Sequence, residues 1–230
     1  MCEPKTKLNI IYRGCNLENP NESLRPGRSN GFDKRKCFDT LDRAIKNYNY
    51  VDKIFIIIDG EKGYLSDYIE SKGYDVRYID VKSNQRSLSY CYDLAHSLED
   101  NNNLYFIEDD YWHTEDALTI INEGVEQVGL VTGYDHPDRY TNNDDITYGN
   151  EHIVLSKNRH WRAAESTTCT WACSMKIFSQ IYNIANEELL EDRRFFRKLY
   201  LEKNIRLFTP IPAVSSHMME NYDSPFFKFI

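Results

Sequence analysis

The residues best suited to chemistry lie in LYFIEDDYWH, where an apolar run passes directly into Glu108, Asp109 and Asp110. Neighbouring side chains at the end of a strand alternate in direction, so Glu108 and Asp110 are expected to share a side. Two carboxylates on one side of a cleft repel unless a cation lies between them. Hard oxygen ligands suit Mg²⁺ or Mn²⁺, which in turn bridge phosphate oxygens. The competing reading is a solvated acidic turn that opens the next helix, where Asp and Glu favour the positive end of the dipole.

The surrounding pattern decides how such a cluster is held. Lys7–Tyr12, Ile54–Ile58, Val76–Ile79 and Leu104–Ile107 are short apolar, largely β-branched runs, and each predicts a strand. Between them Cys37, Leu41, Ala44, Ile45 and Tyr48 recur at helical spacing. Leu65, Tyr68 and Ile69 mark a short helix that Gly73 can cap, and Leu88, Cys91, Tyr92, Ala95 and Leu98 mark another. Strands alternating with helices predict an α/β fold, a mostly parallel central sheet flanked by helices. Ligands in such sheets bind beyond the carboxyl ends of the strands, which singles out Arg13, Asp59, Asp80 and the Glu108–Asp110 run. Further along, Val128–Thr132, His152–Leu155 and Ile205–Thr209 predict strands. Met175, Phe178, Ile181 and Tyr182 predict one helix, and Leu189, Leu190, Phe196 and Leu199 another.

Composition bounds the function. The chain has 230 residues and a formal net charge of -8, which argues against broad nucleic-acid binding and leaves room for a local basic site. Its 17 tyrosines suit a cleft that stacks bases and sugars, and equally a biased codon usage. Cysteines at 2, 15, 37, 91, 169 and 173 form no CxxC pair, so reduced thiols are expected. The N-terminal stretch MCEPKTKLNIIYRG lacks the apolar segment of a signal peptide, and no run is long enough to cross a membrane. A cytoplasmic protein is expected, organised as a single domain over residues 1–230.

The order of motifs resembles the GT-A glycosyltransferases, with an arrangement similar to the inverting family 2 and to small transferases of bacteria and large DNA viruses. LNIIY stands where that fold has its nucleotide-binding first strand. IFIIIDG, ending in Asp59, resembles the strand whose terminal Asp meets the nucleobase. NQRSLSYCYDLA resembles the Asn-rich start of the helix before the metal motif, and FIEDDY resembles the DXD motif, with Glu in place of the usual first Asp.

The resemblance implies a Rossmann-like domain with a nucleotide-sugar-binding half at about 1–112 and an acceptor-binding half at about 113–230. It implies Mn²⁺ or Mg²⁺ on Asp110 and His217, the latter from IPAVSSHMM. A donor, with a UDP-sugar favoured, would lie against Arg13, Asp59, Asn84, Arg86, Glu108 and Asp109, with Arg25 and Arg28 as further diphosphate partners. LLEDRRFFRKLYLEKNIRLFTP is similar to the acidic motif before the last strand, which makes Asp192 the candidate catalytic base and an inverting course the expectation. Glu165 is a second candidate base. Arg139, Arg159, His160, Trp161 and Arg162 are candidates to hold phosphates or stack a sugar on the acceptor side, a glycan or other hydroxyl compound. A sugar nucleotidyltransferase shares the sheet and metal-bound carboxylates, but RGCNLENPNESLRPGRSNG is a poor triphosphate loop. A two-metal phosphoesterase would need dispersed Asp/His ligands. A carbohydrate-binding protein without activity would not need carboxylates at a strand end.

Overall fold

The computed structural model describes residues 4–21, 24–140, 153–225 and 227. The chain begins β1 (Leu8–Cys15), α1 (Lys34–Lys46), β2 (Val51–Asp59), α2 (Tyr64–Ser71), β3 (Val76–Ile79), α3 (Asn84–His96) and β4 (Asn103–Glu108). It continues through β5 (Tyr111–His113), α4 (Ala117–Val128), β6 (Leu130–Val131), β7 (Ile153–Leu155), β8 (His160–Ala164) and β9 (Trp171–Ser174). Helices α5 (Met175–Glu187) and α6 (Asp192–Lys203), then strands β10 (Leu207–Ile211) and β11 (Ser215–His217), complete the strands and α-helices of the described residues.

Nine strands form one sheet in the order β3-β2-β1-β4-β9-β6-β10-β8-β7. Only β8 and β9 run against the others, so the sheet is mostly parallel, as the alternation in the sequence predicts. The period-two pattern explains how helices cover both faces. Ile10, Tyr12, Ile56, Ile58, Tyr105 and Ile107 point to the layer containing α1, α2 and α4. Ile11, Ile57, Leu104 and Phe106 point to the layer of α3, α5 and α6.

The second half departs from the sequence reading. Residues 117–128 form α4, which the pattern did not reveal, and the strand expected over Val128–Thr132 shrinks to Leu130–Val131. Gly129, at φ 87°, ends the helix and turns the chain into the strand. Residues 160–164 and 171–174, to which the pattern assigned no element, form β8 and β9, both paired inside the sheet. Leu189 and Leu190 do not belong to the helix of Phe196. They sit in the turn between α5 and α6, where Leu190 has φ 65°. Of the strand expected at His152–Leu155, His152 lies outside the described residues.

Trp161 on β8 is fully buried, with its Nε1 donating to Ser156 Oγ at 2.8 Å. Helix α4 passes close to it only because residue 124 is glycine, where an added Cβ would fall 2.3 Å from the indole. Gly124→Ala is therefore expected to destabilise the protein by about 1–3 kcal/mol through overpacking. That lowers the melting midpoint by roughly 2–4 °C per kcal/mol. An unchanged midpoint in a thermal melt would refute this packing account.

Candidate active site

Strand β4 delivers three carboxylates to the carboxyl edge of the sheet, and each goes to a different set of partners. Glu108 meets the Arg13 guanidinium beside it on β1, where the register places Arg13 opposite Glu108. Arg13 also donates to Ser87 Oγ at 3.0 Å and to the side-chain and backbone oxygens of Asn84, at the start of α3. Asp109 turns the other way, accepting from Cys15 N and pairing with Lys34 Nζ, each at 2.8 Å. Gly14 permits this approach, since a Cβ there would lie 2.9 Å from Asp109 Oδ2. Asp110 Oδ2 meets Arg28 Nη1 at 2.7 Å and His217 Nε2 at 3.2 Å. Its Oδ1 is buried and has no hydrogen-bond partner among the described residues.

His217 arrives through a second, two-stranded sheet. Strand β5 begins immediately after Asp110 and pairs antiparallel with β11, which sets His217 opposite Tyr111. The two rings stack with centroids 5.1 Å apart and planes 9° from parallel. Met218 N donates to Asp110 O at 2.9 Å, fixing the same junction through the backbone. Asp192, in the first turn of α6, faces Cys169, whose N–H donates to Asp192 Oδ1 at 3.3 Å.

Burial and neighbouring charge together explain the protonation behaviour of the cluster. Burial pushes Glu108 up to about 7 against the opposing pull of Arg13, with repulsion from Asp110 and Asp192 adding to the rise. Burial likewise raises Asp192 to about 6, opposed by the Cys169 N–H and thiol and by Arg13. Burial works against Asp110 too, but His217 and Arg28 outweigh it and hold the carboxylate below its usual range. Burial disfavours the His217 imidazolium, and Asp110 more than compensates, so His217 is raised. Glu18, Glu108, Asp109, Asp110 and Asp192 face the permanent cations Arg13, Arg28 and Lys34. Fully ionised, the cluster holds more negative than positive charge even with His217 protonated.

Among the described residues no three His, Cys, Asp or Glu side chains are arranged to hold a metal by themselves. The donor set fits a divalent cation that takes most of its ligands from phosphate and water. One carboxylate oxygen is without a partner, and an imidazole, an acceptable Mn²⁺ ligand, stands beside the other oxygen.

Other sequence-predicted residues fall elsewhere or serve the frame. Asp59 accepts from the backbone N–H groups of Val81, Lys82 and Ser83 at 3.0, 3.1 and 3.2 Å, so its carboxylate holds the turn that leads into α3. Arg86 is exposed on the first turn of α3. Arg25 is largely exposed and reaches Glu18 at 3.6 Å. Glu165 lines a groove with Phe196, Arg197, Tyr200, Arg206 and Leu207, and none of the Asp110 cluster lines it.

On the acceptor side the sequence reading needs correction at Trp161, which is enclosed in the core and offers no ring face to a sugar. Arg162 and Arg139 are committed to the buried Asp135, at 2.5 and 3.5 Å. Arg159 pairs with Asp116 at 2.8 Å, and His160 is exposed at the start of β8.

Two residues of the cluster escaped the sequence reading. Lys34 is 1% exposed at the start of α1, in contact with Asp109 and, at 3.8 Å, Glu18. The signal was available: Lys34 precedes Cys37, Phe38 and Leu41 at helical spacing, so a cation sat on the buried face. Glu18, at φ 65° in the loop after β1, carried no comparable signal.

No protein-family model and no curated protein matches the chain. Solved structures resemble it at low identity. Glucosyl-3-phosphoglycerate synthase from Mycobacterium tuberculosis, in complex with Mg²⁺ and UDP, aligns over 93% of this chain and 72% of its own, with TM-score 0.54 and 10% identity. A 4-diphosphocytidyl-2C-methyl-D-erythritol synthase from Anaerococcus prevotii covers 89% and 87%, with TM-score 0.50 and 13% identity. CMP:2-keto-3-deoxy-manno-octonic acid synthetase, complexed with CTP, covers 91% and 93%, also at TM-score 0.50 and 13% identity. The chain therefore has the GT-A-like, Rossmann-like fold that these glycosyltransferase and nucleotidyltransferase structures share.

Proposed function

We propose that the chain is a metal-dependent glycosyltransferase that moves a hexosyl or deoxyhexosyl group from a nucleoside-diphosphate sugar, UDP-linked by preference, to a glycan or other hydroxyl acceptor. The observation that carries this reading is Asp110, a carboxylate at a strand end with one oxygen unpartnered and the other shared by His217 and Arg28. Asp110 and His217 would hold Mn²⁺ or Mg²⁺, which when bound neutralises the charge that develops on a departing diphosphate. Arg28 and Lys34 bring permanent positive charge to the same edge, where a leaving nucleoside diphosphate needs it. Arg13, held by Glu108 and Asn84, ties β1, α3 and β4 into one wall of the nucleotide half.

Asp192 is the base in this reading. Its carboxylate takes the proton of the acceptor hydroxyl as that oxygen attacks the anomeric carbon, an inverting course. Glu165 is not assigned this role, because it lines a groove with Phe196, Arg197 and Tyr200 to which none of the Asp110 cluster contributes. Among the described residues no helix is long and apolar enough to cross a membrane.

The solved neighbours supply the rival reading, since two of the three described above are nucleotide-transferring synthases. The test is thermal melting with UDP, GDP, CDP and dTDP, each with Mn²⁺ or EDTA, followed by turnover of the matching nucleotide sugar. At a hundred times its dissociation constant a ligand adds about 2.7 kcal/mol. For a chain of this size that is roughly a 5–10 °C rise. The proposal expects the rise with one diphosphate and only with metal, then release of that diphosphate from its sugar. Pyrophosphate release from CTP and a sugar phosphate would favour the nucleotidyltransferase instead.

A further inference from the structure

Arg28 occupies an unusual place for a loop arginine. Its side chain is only 4% exposed and it stands against the carboxylate that the proposed cation would use, Nη1 to Asp110 Oδ2 at 2.7 Å. Glu18 holds the rest of the guanidinium, with Nε to Oε1 at 2.9 Å and Nη2 to Oε2 at 2.5 Å. The group also lies 4.2 Å from the Phe32 ring centroid.

The loop that carries it is tied to the segment after β11. Ser29 N donates to Met218 O at 3.4 Å, Glu220 N to Gly27 O at 2.7 Å, and Ser29 Oγ to Asp223 Oδ1 at 3.1 Å. Arg28 and His217 thus reach the same oxygen of Asp110 from two segments that are bonded to each other.

A divalent cation approaching Asp110 meets this guanidinium as a like charge, so its binding is opposed while Arg28 stays in place. A diphosphate offers Arg28 an alternative, because guanidinium groups bind phosphate in a bidentate fork. We propose that Arg28 is the exchangeable counter-ion of Asp110. Without nucleotide it neutralises the carboxylate. When the diphosphate takes the guanidinium, Asp110 is released to the cation, so metal and nucleotide bind strongly only together. This rests on the nucleotide-and-metal reading above and adds to it a residue that makes the two ligands interdependent. Linkage requires the coupling to be reciprocal, so UDP tightens Mn²⁺ by the factor by which Mn²⁺ tightens UDP.

The experiment follows free Mn²⁺ by electron paramagnetic resonance, with and without UDP, on the wild-type chain, Arg28→Gln and Arg28→Lys. The Mn²⁺–UDP complex in solution is subtracted, and folding is checked by thermal melting. In the wild type UDP is expected to tighten Mn²⁺ by about tenfold or more, within the usual range of coupling between sites. Arg28→Gln is expected to bind Mn²⁺ alone about tenfold more tightly and to lose most of the coupling, while its UDP affinity falls. Arg28→Lys, which keeps the charge but not the bidentate fork, should bind Mn²⁺ alone as weakly as the wild type while its UDP affinity falls.

A folded Arg28→Gln chain whose affinity for Mn²⁺ alone is unchanged or weaker overturns the exchange. A role confined to gripping diphosphate would give unchanged Mn²⁺ affinity, and a merely structural role would weaken both ligands. Should Arg28→Gln fail to fold, the wild-type arm decides, and UDP binding that Mn²⁺ leaves unchanged sinks the exchange while sparing the nucleotide site. No UDP binding under any condition removes the nucleotide reading and the exchange together.

Discussion

Asp192→Asn is expected to lower turnover by about 10²-fold or more while leaving the affinity for donor nucleotide unchanged, the behaviour of a lost general base. The carboxylate sits in the first turn of α6, turned toward Cys169 and within the electrostatic reach of Arg13 and Glu108. Asparagine keeps the size and can still accept from the Cys169 N–H, so the fold should tolerate it. The pH profile gives an independent reading. Burial raises Asp192 to about 6, and a base works only when deprotonated, so turnover should climb as pH rises through about 6 and then level off. The asparagine variant should lose that limb. Steady-state kinetics with the nucleotide sugar identified by melting makes the measurement. Full turnover in the variant would remove Asp192 from catalysis.

The second large effect belongs to Asp110. Asp110→Ala should abolish the metal-dependent part of nucleotide binding, so that the roughly 5–10 °C rise expected for saturating nucleotide with Mn²⁺ disappears. The same substitution leaves Arg28 and His217 without their shared carboxylate, and breaking a buried pair costs about 3–5 kcal/mol. The unliganded midpoint should therefore fall as well. Asp110→Asn separates the two consequences, since it keeps the shape and an acceptor oxygen while removing the charge that attracts a cation. Calorimetry of UDP with Mn²⁺ and with EDTA on both variants is the check. Metal-dependent binding that survives in either one refutes the assignment of Asp110.

The two expectations depend on each other through geometry. Glu108 is electrostatically coupled to both the proposed metal and base residues, since the charges of Asp110 and Asp192 both raise it. Arg13 offsets part of that repulsion and is itself anchored to α3 by Asn84 and Ser87. A cation arriving at Asp110 relieves the same excess of negative charge, which couples donor binding to the protonation of the neighbouring carboxylates.

Much of the fold was legible because its causes are local. The apolar runs ending at Tyr12, Ile58, Ile79 and Ile107 alternate sides with period two, and helical spacing separates them, so β1 to β4 and α1 to α3 could be read directly. The position of Glu108, Asp109 and Asp110 at the carboxyl end of a buried strand followed from the same pattern, and so did the placement of Arg13 at the end of β1. The division of the three carboxylates between two directions needed only the alternation along a strand.

What the chain could not reveal alone is every contact that depends on strand order and register. Asp110 and His217 are 107 positions apart, and only the antiparallel pairing of β5 with β11 sets one beside the other. Glu18 enters the cluster through the path of the loop after β1, where no periodic pattern operates, and Lys34 reaches it from the buried face of α1, whose spacing gives the face but not the partner. Trp161, polar in its sequence neighbourhood, is buried because β8 pairs with β10 inside the sheet and α4 covers it at Gly124. The sequence offered Asp192 as the first candidate base and Glu165 as the second, and only the tertiary structure brings the charge of Asp192 to bear on Glu108 while Glu165 lines a groove with Phe196, Arg197 and Tyr200. Spacing along a chain sets which face of an element a side chain occupies, whereas the packing of distant elements decides which charges meet.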